Sequence, residues 1–101
     1  MRVFNTTASG LMDSSPIDQA YFVNATSAAV IRTLPDATLC RGAIRTISKT
    51  DATANAVTVN TTSAQPITGT GGVVASVSLA CRGWAISVMS DGAGWNVVAR
   101  I

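Results

Sequence analysis

The chain has 101 residues, of which 48% are hydrophobic, and its seven basic and five acidic residues give a net charge of +2. This length suits a single small domain, and its core must be thin because sixteen residues are alanine and only five are aromatic. The basic residues are scattered and no apolar run approaches about twenty residues, so neither nucleic acid nor a membrane is an expected partner.

Residues 1–20 differ from the rest of the chain and are treated as a separate unit. Val3 and Phe4 suit a short strand, whereas residues 6–10 and 13–16 are rich in loop-forming residues. Two interpretations stay open: a frayed terminus, or an extended N-terminal arm that reaches a neighbouring protein. The apolar residues that would make such a contact are Val3, Phe4, Leu11 and Met12.

Residues 21–101 are predicted to form one β domain. Val, Ile and Thr make up 31 of the 101 residues, and branching at Cβ favours strands. Apolar and polar residues alternate in short runs such as 56–60 and 73–79. The predicted fold is all-β, a small sandwich or barrel of about seven short antiparallel strands. A core this thin would gain from burial against another copy, so oligomerisation is expected.

The strongest hairpin pattern lies at the C-terminal end, where two alternating runs flank the turn 90–94. The turn residues predicted to have structural roles are Asp91, Gly92 and Gly94. Trp84 and Trp95 lie on either side of the turn and are predicted to pack in the core or in a subunit interface. The alternative for these rings is a surface that stacks on sugars.

Catalytic and metal-binding chemistry is not expected. The sequence has no histidine and no glutamate, which removes the usual general bases, the Ser-His-Asp and Cys-His arrangements and every histidine-containing metal site. The glycine-rich residues 69–72 precede a predicted strand, not a helix, so they are interpreted as a turn and not as a phosphate-binding loop. We therefore predict no enzyme, no cofactor and no metal.

The N-terminus has no apolar run followed by a cleavage site, so synthesis in a cytosol is expected. In that compartment Cys40 and Cys81 are predicted to remain free thiols, and a disulfide between them is the alternative.

Five short motifs follow one another between Ala28 and Trp95. In order they are Thr33–Ala37, Ile44–Lys49, Asn55–Val59, Gln65–Gly69 and Ser90–Trp95. As an ordered set they resemble a β domain of tailed-phage virion proteins found in tail fibres and tail tips. The resemblance implies a homotrimer that binds other virion proteins and is assembled in the host cytoplasm. Thr68 replaces an aspartate that is frequent in the family, so no role is assigned to it.

Fibre proteins of that kind carry a long shaft before the domain, whereas only residues 1–27 precede it here. The leading expectation is therefore a non-enzymatic structural protein on the virion exterior, a trimeric capsid decoration, cement or spike protein. The alternative is a tail-fibre or tail-tip host-recognition module that binds a cell-surface glycan or protein through the loops 61–72 and 91–94.

Overall fold

A computed structural model describes residues 1–69 and 71–101; Thr70, which belongs to the predicted loop 61–72, lies outside the described residues. About half of the described residues are in strands, and the only helical segments among them are two single 3-10 turns, Ala37–Leu39 and Thr62–Ala64. The strands are β1 (Arg2–Thr6), β2 (Gly10–Leu11), β3 (Gln19–Val23), β4 (Val30–Leu34), β5 (Ile44–Lys49), β6 (Val57–Thr61), β7 (Ile67–Gly69), β8 (Gly72–Val74), β9 (Ser76–Leu79), β10 (Ala85–Ser90) and β11 (Trp95–Arg100).

The first six strands wind as a coil between two sheets. Strands β1, β3 and β5 stack in parallel in the larger sheet, and β2, β4 and β6 stack in parallel in the smaller one. The register places Arg2, Gln19 and Arg45 side by side in consecutive turns of the coil. Because successive strands alternate between the sheets, the architecture is solenoid-like.

The remaining strands close the two sheets with mostly antiparallel pairs. Strand β9 pairs with β6, β10 pairs with β5, and β11 returns beside β10 as the predicted C-terminal hairpin. Strand β7 joins β11 in parallel, and β8 folds back on β7. The larger sheet has the order β1-β3-β5-β10-β11-β7-β8, and the smaller sheet has the order β2-β4-β6-β9.

The all-β prediction is confirmed, but the described residues form eleven strands in mixed, solenoid-like sheets, so the predicted seven or so antiparallel strands and the simple barrel are wrong. Parallel pairing joins β1 to β3, β3 to β5, β2 to β4, β4 to β6 and β7 to β11. Side chains alternate between the two faces of a strand in the same way in parallel and antiparallel sheets. The alternation that identified the strands therefore carried no information about their direction.

The first twenty residues are part of the folded sheets, which differs from the predicted separate arm. Residues 2–6 and 10–11 add one strand to each sheet, and Met12 and Gln19 are 1% and 0% exposed. Backbone pairing explains the difference, because a short polar strand is stabilised once a neighbouring strand satisfies its N–H and C=O groups.

Arg45 fastens the connection between β2 and β3 to the centre of the larger sheet. Its side chain is fully buried, and its guanidinium donates to the carbonyl oxygens of Asp13 (2.7 Å), Ser15 (2.6 Å) and Ile17 (2.9 Å). A further contact of 3.3 Å reaches the carbonyl of Ile44. A strand residue of the third turn thus holds the connection that closes the first turn.

We expect Arg45→Met to lower the free energy of unfolding by at least about 3 kcal/mol, since it leaves three or more carbonyl groups without donors. Urea denaturation followed by tryptophan fluorescence measures the loss. Arg41→Met is the matched control, because Arg41 is exposed in a turn. Equal stabilities of the two variants would contradict the role given to Arg45.

The two tryptophans differ in burial. Trp95 is fully buried, and its backbone N–H donates to the carbonyl of Pro66 at 2.8 Å. Trp84 keeps 40% of its surface exposed, which is more than the sequence predicted. The reason is its position in the turn before β10, at the end of the sheet, where its backbone carbonyl accepts from Lys49.

Trp95→Ala should therefore lower the free energy of unfolding by about 3–5 kcal/mol, as is typical of a large aromatic side chain removed from a core. Trp84→Ala should cost clearly less because the ring loses less buried surface. Thermal unfolding followed by circular dichroism compares the two variants. A larger loss for Trp84→Ala would overturn this ranking.

Candidate functional site

Charged side chains do not occupy the outward-facing strand positions in the part of the chain that is described. The strand residues that carry charge are all in register with inward-facing positions: Arg2, Arg32, Arg45, Lys49 and Arg100. The remaining seven charged residues lie in turns and connections. The outward strand positions of both sheets are therefore uncharged, and the exposed Arg100 borders the outer surface of the larger sheet.

Aromatic rings accommodate two of the inward cations. The guanidinium of Arg32 lies 5.2 Å from the centre of the Tyr21 ring, and that of Arg2 lies 5.0 Å from the centre of the Phe4 ring. The Phe4 and Tyr21 rings stack with their centres 4.6 Å apart. A cation over an aromatic face is attracted by the ring quadrupole. Arg2 remains more than half exposed and pairs with Asp13 at 3.1 Å, whereas the buried Arg32 also donates to the carbonyl of Ala8 at 3.0 Å.

Three neighbouring strands, β5, β10 and β11, form the middle of the larger sheet, and their outward residues define what we call the central face. These residues are Ile44, Thr46, Ser48, Ala85, Ser87, Met89, Asn96 and Ala99. Each is partly or fully exposed and none is charged. The hydroxyl groups of Thr46 and Ser87 lie 2.8 Å apart and hydrogen bond to each other, so they need no other partner.

The central face is nearly flat because most of its side chains are small. A depression of about 110 Å³ on this face is lined by Thr46, Ala85, Ser87 and Ala99 together with Arg100 and Ile101. Such a face offers no acid, base or activated nucleophile. It can pack closely against another flat, uncharged surface.

The outer face of the smaller sheet is also uncharged but more polar. Its outward residues, identified from the strand registers, are Leu11, Ile31, Thr33, Thr58, Asn60, Ser76 and Ser78. Apart from Leu11 and Ile31 they are hydroxyl and amide side chains, which remain well hydrated in water. The central face is therefore the better candidate for protein contact.

The four residues predicted to contact a partner lie in different places. Val3 (57% exposed) is outward on β1 and shares a row with Thr46 of the central face, whereas Leu11 (64% exposed) is outward on the smaller sheet. Phe4 and Met12 belong to the core of the chain itself. A partner contact through Val3 and Leu11 stays a prediction.

The predicted turn residues form a self-contained turn. The Asp91 carboxylate accepts the backbone N–H groups of Ala93 at 2.9 Å and Gly94 at 2.8 Å and the side-chain amide of Asn96 at 2.8 Å, and these bonds hold its pKa below the usual range. Gly92 has φ +91°, a conformation that favours glycine, and a Cβ on Gly94 would lie 2.9 Å from the Pro66 carbonyl. These residues shape the hairpin.

Lys49, Asp51 and Thr53 form the other concentration of polar side chains, at the opposite end of the larger sheet. Lys49 is fully buried, and its ammonium lies 2.5 Å from Asp51 Oδ2, which also accepts from the Thr53 hydroxyl. Asp51 Oδ1 accepts the backbone N–H of Ala25 at 2.7 Å. Every polar atom of the cluster is engaged, so we assign it to stability.

This ion pair makes stability depend on acid. The Lys49 ammonium and the Thr53 hydroxyl hold the pKa of Asp51 well below its usual value near 3.8. A depressed folded-state pKa adds stability above the unfolded-state pKa and loses it as the pH falls toward the folded-state value. We expect Asp51→Asn to unfold in less urea than the parent at pH 7 and the difference to shrink steadily below pH 4.

Urea titrations between pH 7 and pH 2 check this expectation. Asp13→Asn serves as control: the Asp13 carboxylate is exposed to water and its ion pair with Arg2 is on the surface, so the variant should lose little stability at pH 7. A gap between parent and Asp51→Asn that stays constant down to pH 2 would contradict the assignment.

Comparison with known proteins identifies one family. A family model described as Domain of unknown function (DUF7964) matches residues 30–101, which begin at the first residue of β4 and include the whole central face. No curated protein matches the chain. Within residues 1–69 and 71–101 no group of three cysteine, aspartate or similar ligands is placed to hold a metal ion. No helix in the same ranges has the length and apolar character to cross a membrane.

Proposed function

The chain belongs to the DUF7964 family, and we propose that it is a non-enzymatic structural protein that assembles with copies of itself through the central face. We further propose a trimer that binds other proteins on the exterior of a tailed-phage virion, as a capsid decoration, cement or spike protein. The proposed place on a phage virion rests on the resemblance of the ordered sequence motifs. The proposed association through the central face rests on the distribution of charged residues.

The observation that carries the proposal is the uncharged central face. In a ring of three copies, equivalent residues meet only close to the three-fold axis, and a charge placed there would face like charges and lose hydration. The outward residues of β5, β10 and β11 avoid both penalties. Small side chains also let two sheets approach at the spacing of about 10 Å that is usual for packed sheets.

The small side chains of the core are a second argument for self-association. Trp95 is the one large aromatic side chain that is fully buried in the described chain, and much of the remaining core is Val, Ala and Ile. A domain of this size buries a limited fraction of its surface, so covering a further sheet face adds stability that one chain cannot provide. Val3 extends the uncharged row toward β1 and would enlarge the contact.

We expect light scattering at micromolar concentration to give a mass near three times the 10.3 kDa of one chain. Ala99→Arg should shift the mass to that of a monomer, because it places a charge in the centre of the contact. Ser78→Arg is the matched control: Ser78 is exposed on β9 of the smaller sheet, as Ala99 is on β11. This variant should keep the mass of the parent.

Circular dichroism of both variants separates loss of association from loss of folding. A parent mass near 10 kDa would contradict the assembly. An oligomer that Ser78→Arg disrupts and Ala99→Arg leaves intact would move the contact to the smaller sheet.

A further inference from the structure

A groove of about 340 Å³ lies on the larger sheet at the margin beyond the central face. It is lined by Asn5, Thr6, Thr7, Phe22, Asn24 and Thr50. Its volume is at the lower end of the range of about 300–1,000 Å³ that is common for small-molecule sites. No charged side chain contributes to its lining.

The groove exists because three parallel strands end at the same height. Thr6, Val23 and Lys49 are in register at the ends of β1, β3 and β5. The backbone N–H of Asn24 donates to the backbone carbonyl of Thr6, and the backbone N–H of Thr50 donates to the backbone carbonyl of Val23, each at 2.9 Å. Residues that are far apart in sequence are thus fixed around one hollow.

Several polar groups of the groove have unused hydrogen-bonding capacity. The Asn5 amide and the Thr7 hydroxyl bond to no described residue, and the Asn24 side-chain oxygen is used by Thr26, which leaves the Asn24 NH₂ group available. Phe22 is 38% exposed and lies in register with Asn5. An aromatic ring is therefore presented next to free amide and hydroxyl groups.

We propose that this groove binds a neutral carbohydrate. A sugar ring combines a C–H face, which packs on an aromatic ring, with hydroxyl groups that both donate and accept hydrogen bonds, as amides and hydroxyls require. An acidic or phosphorylated ligand would find no cation among the lining residues. A peptide strand would be recognised by a row of backbone groups, whereas the free groups here are side chains around one ring.

The site does not rest on the proposed assembly. The groove and the central face share no residue. Phe22 of the groove lies beside Ser48 of the central face on neighbouring strands, so the two surfaces adjoin. Association is therefore measured by light scattering in the same variants in which sugar binding is measured.

Saturation-transfer NMR of the full chain with the methyl glycosides of glucose, galactose, mannose and N-acetylglucosamine tests the proposal. At least one glycoside should receive saturation, and Phe22→Ala and Asn5→Ala should each weaken its binding by about tenfold. Ile31→Ala, at an exposed apolar residue of the smaller sheet outside both the groove and the central face, should bind as the parent does. Binding should be unchanged between about 50 and 500 mM NaCl because no charge contributes.

Failure of all four glycosides to bind would overturn the proposal, as would binding that survives in both Phe22→Ala and Asn5→Ala. A neutral tetrapeptide of serine, asparagine and alanine is titrated in parallel. If it binds through Phe22 and the glycosides do not, the ligand is a peptide and the carbohydrate assignment is wrong. Light scattering of Phe22→Ala shows whether a change in assembly accompanies the loss of binding.

Discussion

The fold depends on one buried guanidinium. Arg45 extends from β5 to three carbonyl oxygens of the connection between β2 and β3, and the described residues contain no carboxylate paired with it. A buried cation is unfavourable alone, and the hydrogen bonds to these carbonyls offset most of its lost hydration, while its Nε has no partner among the described residues. The first turn of the coil is held against the third by this contact, which is how Met12 enters the core and β1 and β2 find their places in the sheets.

The strands place their cations inward and their uncharged side chains outward, which inverts the usual arrangement of a soluble sheet. Long Arg and Lys stems cover apolar surface while their heads reach carbonyls, a carboxylate or aromatic rings. The outward residues of the two sheets are mostly Ser, Thr and Ala. Such a surface is hydrated through its hydroxyl and amide groups. Its outward strand residues carry no charge. The central face and the groove lined by Asn5 and Phe22 both lack charged side chains for this reason.

Features that depend on residues close in sequence could be predicted, whereas contacts between residues far apart in the chain could not. The last hairpin was predictable because Asp91 and the glycines specify their turn within a few residues. The coil could not be predicted, because its turns differ in length. Arg2 and Gln19 lie 17 positions apart and Gln19 and Arg45 lie 26 positions apart, so the sequence shows no fixed repeat. Nothing in the local pattern marked Arg45 as buried, since it is one of seven basic residues scattered along the chain. The groove unites residues 5–7, 22–24 and 50, and nothing in their local pattern predicts that they meet.

In the proposed assembly, the uncharged outward strand positions would also determine how fast copies of the chain meet one another. Electrostatic steering accelerates association only where complementary charges attract across several ångströms of water. Faces without charge meet by unguided diffusion, at about 10⁵–10⁶ M⁻¹ s⁻¹, with little change on adding salt. Differences in the affinity of such contacts then arise in how slowly the complex separates, which depends on the fit between small side chains. The lifetime of any assembly through the central face is thus governed by shape, at positions such as Ser87 and Ala99, where one added methylene would be felt.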